Sequence, residues 1–153
     1  MAYKGKYQPR HPYKYKGNPT NITYRSLWER KFMQYCDSSS SILEWASEEI
    51  AIPYRSPLDR KVHRYFPDFY IKVRESGGIV KNMLIEIKPQ RQTKRPQKKT
   101  SKKAYIYEAQ EYAKNMAKWK MAREFCKDRL WEFKIITEDE LYGTRGVSRK
   151  SNK

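Results

Sequence analysis

The sequence has few of the residues that make soft metal centres. Its two histidines, His11 and His63, stand in no spacing with a cysteine or with each other, which argues against a histidine-based metal site or catalytic triad. The two cysteines, Cys36 and Cys126, have no histidine partners for a zinc site; each falls among apolar residues at helical spacing, where a reduced core thiol is expected. No window approaches the ~20 apolar residues of a spanning helix, and no basic amphipathic segment lies at an end, so no membrane partner is expected. Lys4, Lys6 and Arg10 are followed by no apolar run, so no secretory signal is read and the expected location is the cytosol or a particle assembled there. Acidic residues are absent from two long stretches, 1–19 and 88–103.

What the chain has in excess is positive charge. Lysine and arginine number 34 against 17 aspartates and glutamates, a formal net charge of +17, more than solubility requires. Such an excess points to a polyanionic partner, nucleic acid first. The 153 residues suffice for one packed domain with basic ends. We divide them into a basic, tyrosine-rich arm (1–19), a domain (20–142) containing a basic loop (88–103), and a basic tail (143–153). In the arm, Tyr3, Tyr7, Tyr13 and Tyr15 alternate with lysines and Arg10, and three prolines and two glycines oppose regular structure. Two readings stay open for it: phosphate neutralisation with base stacking, or a strap over its own domain or a neighbouring subunit.

Ser26 three residues before Glu29 is a capping box, and Trp28, Phe32, Tyr35 and Cys36 follow at helical spacing to about Asp37. Segments 42–45 and 49–53 read as short strands, 64–73 as a stronger one, and 79–88 as its return after Ser76-Gly77-Gly78. The loop from Lys88 to Lys103 carries eight basic residues, and Pro89 and Pro96 rule out a continuous helix. A long helix is expected over 101–127, a strand over 131–137, and a short capped turn from Thr137 to Glu140. Helical spacing assigns Tyr107, Tyr112, Trp119 and Trp131 to the core and its interfaces. The element order argues for an α/β fold with a mixed sheet between helices.

The chemistry concentrates at Pro67-Asp68 and Glu86-Ile87-Lys88. Side chains alternate along a strand, so Glu86 and Lys88 share a face while Ile87 points away. A partner strand ending near Asp68 would bring two carboxylates and an amine together. Such a cluster can hold a hard divalent cation against a scissile phosphate, with the lysine supporting the attacking water. The alternative is a solvated aspartate and an exposed ion pair worth under ~1 kcal/mol. In an antiparallel hairpin, opposed residue numbers sum to a constant. A two-residue Gly77-Gly78 turn would set Asp68 opposite Ile87, on the wrong face. A loop one residue longer or shorter, or a bulge, brings it opposite Glu86 or Lys88. We therefore expect that the tight turn with unbroken register does not occur.

With an acidic residue in the first helix, an aspartate on one strand and Glu-x-Lys on the next, the order resembles the PD-(D/E)xK nuclease superfamily. Further segments sharpen this: Tyr24-Arg25-Ser26 with Trp28-Glu29, Ile52-Pro53-Tyr54, Arg64-Tyr65-Phe66, Ile85-Glu86-Ile87-Lys88-Pro89 and Ile136-Thr137-Glu138-Asp139. Together they are similar to the head completion nucleases of T-even-like tailed phages, themselves similar to the transposon endonuclease TnsA. The resemblance implies a restriction-endonuclease-like core. It also implies a Mg²⁺-dependent deoxyribonuclease, with Mn²⁺ as the alternative ion and no small-molecule cofactor. Its setting would be the host cytoplasm or the virion, late in head completion and before head–tail joining. Its partners would be double-stranded DNA and portal, neck or other head-completion proteins.

On this reading Asp68 and Glu86 bind the metal, with the Ile87 carbonyl as a further ligand. Lys88 positions or deprotonates the water. Glu29, which the capping box also explains, binds a second metal or steers a water. Candidate DNA contacts are Arg60, Lys61, His63 and Arg64 at one edge, and Arg91, Lys94, Arg95, Lys98, Lys99, Lys102 and Lys103 on the basic loop; for both groups the alternative is a solvated surface. Two rivals remain: a non-catalytic neck or head plug on a nuclease fold, and a TnsA-like or junction-resolving enzyme outside any virion.

Overall fold

Tyr15 and Tyr7 are placed by packing against one indole, and this decides the course of the first residues. In the computed structural model, which describes residues 3–98 and 101–142, the arm lies over its own domain. Strand β1 (Gly5–Lys6) pairs antiparallel with β2 (Thr23–Tyr24). A Cβ at Gly5 would meet the Tyr24 hydroxyl end, so any larger residue here requires the Tyr24 side chain to move. Between them a single 3-10 turn, Pro12–Lys14, delivers Tyr15 onto Trp45, ring centroids 4.7 Å apart, while Tyr7 meets the same indole at 6.1 Å. Of the two readings of the arm, the strap over its own domain is the one observed. The tail at 143–153 lies outside the described residues.

Helix α1 (Leu27–Ser38) starts where the capping box predicts, the Ser26 hydroxyl accepting the Glu29 N–H at 3.1 Å. Strand β3 (Ile42–Ser47) is longer than expected, and Glu48 at φ 54° then turns the chain. This moves the next strand, β4 (Ile52–Arg55), three residues beyond its expected start. The expected strand 64–73 is in fact two, β5 (Val62–Tyr65) and β6 (Phe69–Arg74). Pro67 has no N–H for a ladder, and the chain changes sheets there. β5 pairs with β4 in a separate hairpin, whereas β6 joins β7 (Val80–Ile87). A 3-10 turn (Gln90–Thr93), the long helix α2 (Lys102–Arg129), strand β8 (Glu132–Ile136) and a one-turn helix α3 (Glu138–Leu141) complete the order. Thr137 does not cap α3 through its hydroxyl; the helix closes on backbone bonds from Glu140 and Leu141 to the Thr137 carbonyl.

The main sheet runs β3-β6-β7-β8, antiparallel except for the parallel pair β7 and β8. Parallel neighbours need a crossover connection, which α2 supplies. Phe69 pairs with Ile85 on one face and packs on Phe32 of α1 at 4.8 Å. Leu84 points to the other face, where Cys126 of α2 lies beside it. With both faces covered, four consecutive residues of β7, Leu84 to Ile87, are buried. Both cysteines are buried free thiols, as expected.

Candidate active site

The β6–β7 hairpin fixes the geometry of the acidic pair. Its register runs from Phe69 opposite Ile85 to Arg74 opposite Val80, every pair summing to 154. Glu75 closes the ladder on Ile79 at 2.7 Å, so the loop is the three residues Ser76-Gly77-Gly78, both glycines at positive φ. That is one residue longer than the tight turn. The same constant carried to Asp68 sets it opposite Glu86, on the face turned to α2.

Asp68 Oδ2 accepts the Ile87 N–H at 2.8 Å. In an extended strand the N–H and C=O of one residue leave on the same side, so the Ile87 carbonyl is also directed toward Asp68. Glu86 Oε1 accepts the Tyr65 hydroxyl at 2.6 Å, and its Oε2 lies 3.7 Å from Lys88 Nζ. Lys88 is held by its own N–H, which donates to Ile136 O on β8 at 3.0 Å. Among the described residues, Asp68 Oδ1 has no hydrogen bond, while the Glu86 carboxylate is also approached by the Asp68 N–H.

Burial, then the charge of Glu86, pushes the Asp68 carboxyl well above the usual range. Glu86 is also raised by burial, against the opposing effects of the Tyr65 hydroxyl, Lys88 and Lys118. Two hard oxygen donors, forced together and resisting ionisation, fit a divalent cation, which would remove the cost of charging both. No three His, Cys, Asp or Glu side chains converge among the described residues. The protein donors for such an ion are therefore these two carboxylates and the Ile87 carbonyl.

Glu29 combines the two positions that the sequence left as alternatives. Its Oε1 accepts the Arg25 N–H at 2.9 Å, closing the cap. Burial, and then the charges of Glu48 and Glu86, raise its carboxyl against the Arg25 N–H that lowers it. Several neighbours were not singled out as site residues from sequence. Arg25 grips Glu48 through Nε and Nη2 at 3.0 Å each, and the Glu48 N–H donates to the Asp68 carbonyl at 3.1 Å. Tyr65 reaches in from the β4–β5 hairpin. Lys118 of α2 lies over the rings of Tyr54 and Tyr65 at 5.8 and 5.6 Å, and burial lowers its pKa despite the pull of Glu86. The signal for Lys118 was faint: a lysine beside Trp119, on the turn of α2 that enters the core.

The basic candidates divide into two groups. Arg60, Lys61, His63 and Arg64 are exposed on the β4–β5 hairpin. There His63 Nε2 lies 2.8 Å from Asp59, and Arg64 rests 5.5 Å over the Phe66 ring. Arg91, Lys94 and Arg95 join Lys88 along a cleft of about 470 Å³ between the basic loop and α2. The Gln90 N–H donates to Glu138 at 2.8 Å, anchoring the start of that loop. Lys98, Lys102 and Lys103 are exposed away from the cleft, and Lys99 lies outside the described residues. Trp119 is core, as its spacing predicts, but Tyr107 is 62% exposed on the cleft rather than packed.

A family model described as TnsA-like endonuclease N terminal matches residues 39–138, the segment that carries Asp68, Glu86 and Lys88. The chain belongs to this family. The TnsA-like endonuclease fold is restriction-endonuclease-like, and the mixed sheet between α1 and α2 has that form. A head completion nuclease of Enterobacteria phage T4 is 39% identical over 146 residues, covering 92% of this chain and 95% of that one. No solved structure matches the chain significantly.

Proposed function

We propose that this TnsA-like chain is a divalent-cation-dependent DNA nuclease that acts in completing a phage head before the tail is joined. The observation that carries the chemistry is half-buried Asp68 beside buried Glu86, with Asp68 Oδ1 left without a protein hydrogen bond and Lys88 Nζ 3.7 Å from Glu86. The kinship with the phage T4 head completion nuclease supports the setting. Asp68, Glu86 and the Ile87 carbonyl hold Mg²⁺, or Mn²⁺ in its place, which when bound supplies Lewis acidity toward the scissile phosphate and lowers the pKa of water. Lys88 orients the attacking water through its ammonium group and neutralises charge that builds on the phosphate. Glu29 steers that water from the α1 side. The water oxygen forms the new P–O bond as the P–O bond to the sugar oxygen breaks; the attacking water gives up a proton to solvent, and a solvent water returns one to the departing sugar oxygen. Arg60, Lys61, His63, Arg64 and the loop cations bind the backbone, giving weak sequence preference and binding that falls steeply with salt.

The test pairs the wild type with Asp68→Ala, incubated with linear and circular duplex DNA in Mg²⁺ or EDTA. Cleavage by the wild type only, and only with metal, is expected. A folded, DNA-binding wild type that cuts neither substrate would point to a structural head plug, and equal cutting by both proteins would displace the site from Asp68.

A further inference from the structure

The cleft beside Lys88 has walls of different chemistry. Lys88, Arg91 and Lys94 form the loop side, while α2 contributes Tyr107, Tyr112 and Asn115, together with carboxylates. Tyr107 is 62% exposed and stacks on no other ring among the described residues. Asn115 is 7% exposed, lines the cleft, and has no side-chain hydrogen bond among the described residues. Its amide is not among the sealed, unpartnered groups of the interior: it opens on the cleft, where its oxygen and nitrogen can meet a ligand. An asparagine offers both a carbonyl acceptor and an amide donor, the combination that base edges present in return.

We infer that this cleft takes one unpaired nucleotide of the DNA strand being cut. This inference rests on the nuclease reading and adds to it a preference for frayed or single-stranded ends over intact duplex. A space of about 470 Å³ suits one small organic group and cannot admit a double helix. Polarity fixes the orientation. The loop cations Lys88, Arg91 and Lys94 attract phosphate, so the backbone follows them and the base turns to Tyr107 and Asn115. Because Lys88 belongs both to the cleft and to the acidic site, a nucleotide seated there has its backbone next to the reacting centre.

The test uses the full-length chain carrying Asp68→Ala, so that nothing is cut. It is titrated into two DNA hairpins of the same stem, one blunt and one with a single unpaired terminal 2-aminopurine. About tenfold tighter binding of the unpaired end is expected, with quenching of the probe by the tyrosine ring. Adding Tyr107→Phe keeps both effects; adding Tyr107→Ala removes both while leaving blunt-end affinity unchanged. Asn115→Ala weakens the unpaired-end complex alone. Equal affinity for the two hairpins, or a preference that survives Tyr107→Ala, overturns the inference and leaves the nuclease reading standing. Failure of the folded chain to bind either hairpin overturns both.

Discussion

Asp37 and Glu86 are buried, Asp68 beside Glu86 is half-buried, and the same fold treats these carboxylates in opposite ways. Asp37, at the end of α1, accepts the Tyr7 hydroxyl and the Arg10 N–H at 2.7 Å and the His11 N–H at 3.0 Å. Burial raises its carboxyl, but these donors outweigh that and leave it below the usual range. At the acidic pair burial wins, and both carboxyls are raised. One location is completed by the chain itself and the other needs something from outside. A buried acid with all its bonds made reads as architecture, and one short of partners as a site.

The sharpest way to break this contrast is to exchange charge for isostere. Glu86→Gln should lower DNA cleavage by about 10³-fold or more without unfolding the chain, measured by a gel assay beside a circular dichroism melt. Asp37→Ala should do the reverse. It leaves three donors unpaired and releases the strap, costing about 3 kcal/mol in a urea titration while cleavage below the transition is kept.

Acidity sharpens the contrast at a smaller scale. For Asp68 and Glu86 the folded pKa values lie above the unfolded ones, so in EDTA the folded state binds the extra protons as pH falls. Stability should therefore rise as pH falls through the raised folded pKa values toward the unfolded carboxylate values near ~4. Asp37 has the opposite sign: its contribution is full above the unfolded pKa near ~4 and is lost as pH falls through the lower folded value. Thermal melts across pH should thus pass through a maximum on the acid side. Saturating Mg²⁺ should flatten the upper limb in the wild type but not in Asp68→Asn.

The register of the acidic pair was legible because strand alternation admits few answers. Asp68 and Glu86 can share a face only if the Gly77-Gly78 turn is not a two-residue one, and the observed loop has three. The break at Pro67 was less legible. Tyr65, Phe66, Phe69 and Tyr70 all favour a strand, and local propensity outweighed a single missing N–H in the sequence reading. What the sequence concealed were contacts set by tertiary packing across sheets and helices. Tyr65 meets Glu86 only because β5 leaves the main sheet, and Lys118 nears the acids only through the crossover. The partnership of the strap with Asp37 is of the same kind, since nothing local marks that aspartate as buried.

The parallel pairing of β7 with β8 has a consequence for synthesis. Lys88 is tied to Ile136, so the end of the strand carrying Glu86 acquires its outer neighbour only after α2 and β8 have been made. On the ribosome both carboxylates emerge long before their scaffold does. A nascent chain released before β8 would carry every acidic residue of the site without the rigid frame that aligns them, so the folding order itself delays assembly of the acidic site until β8 has been made.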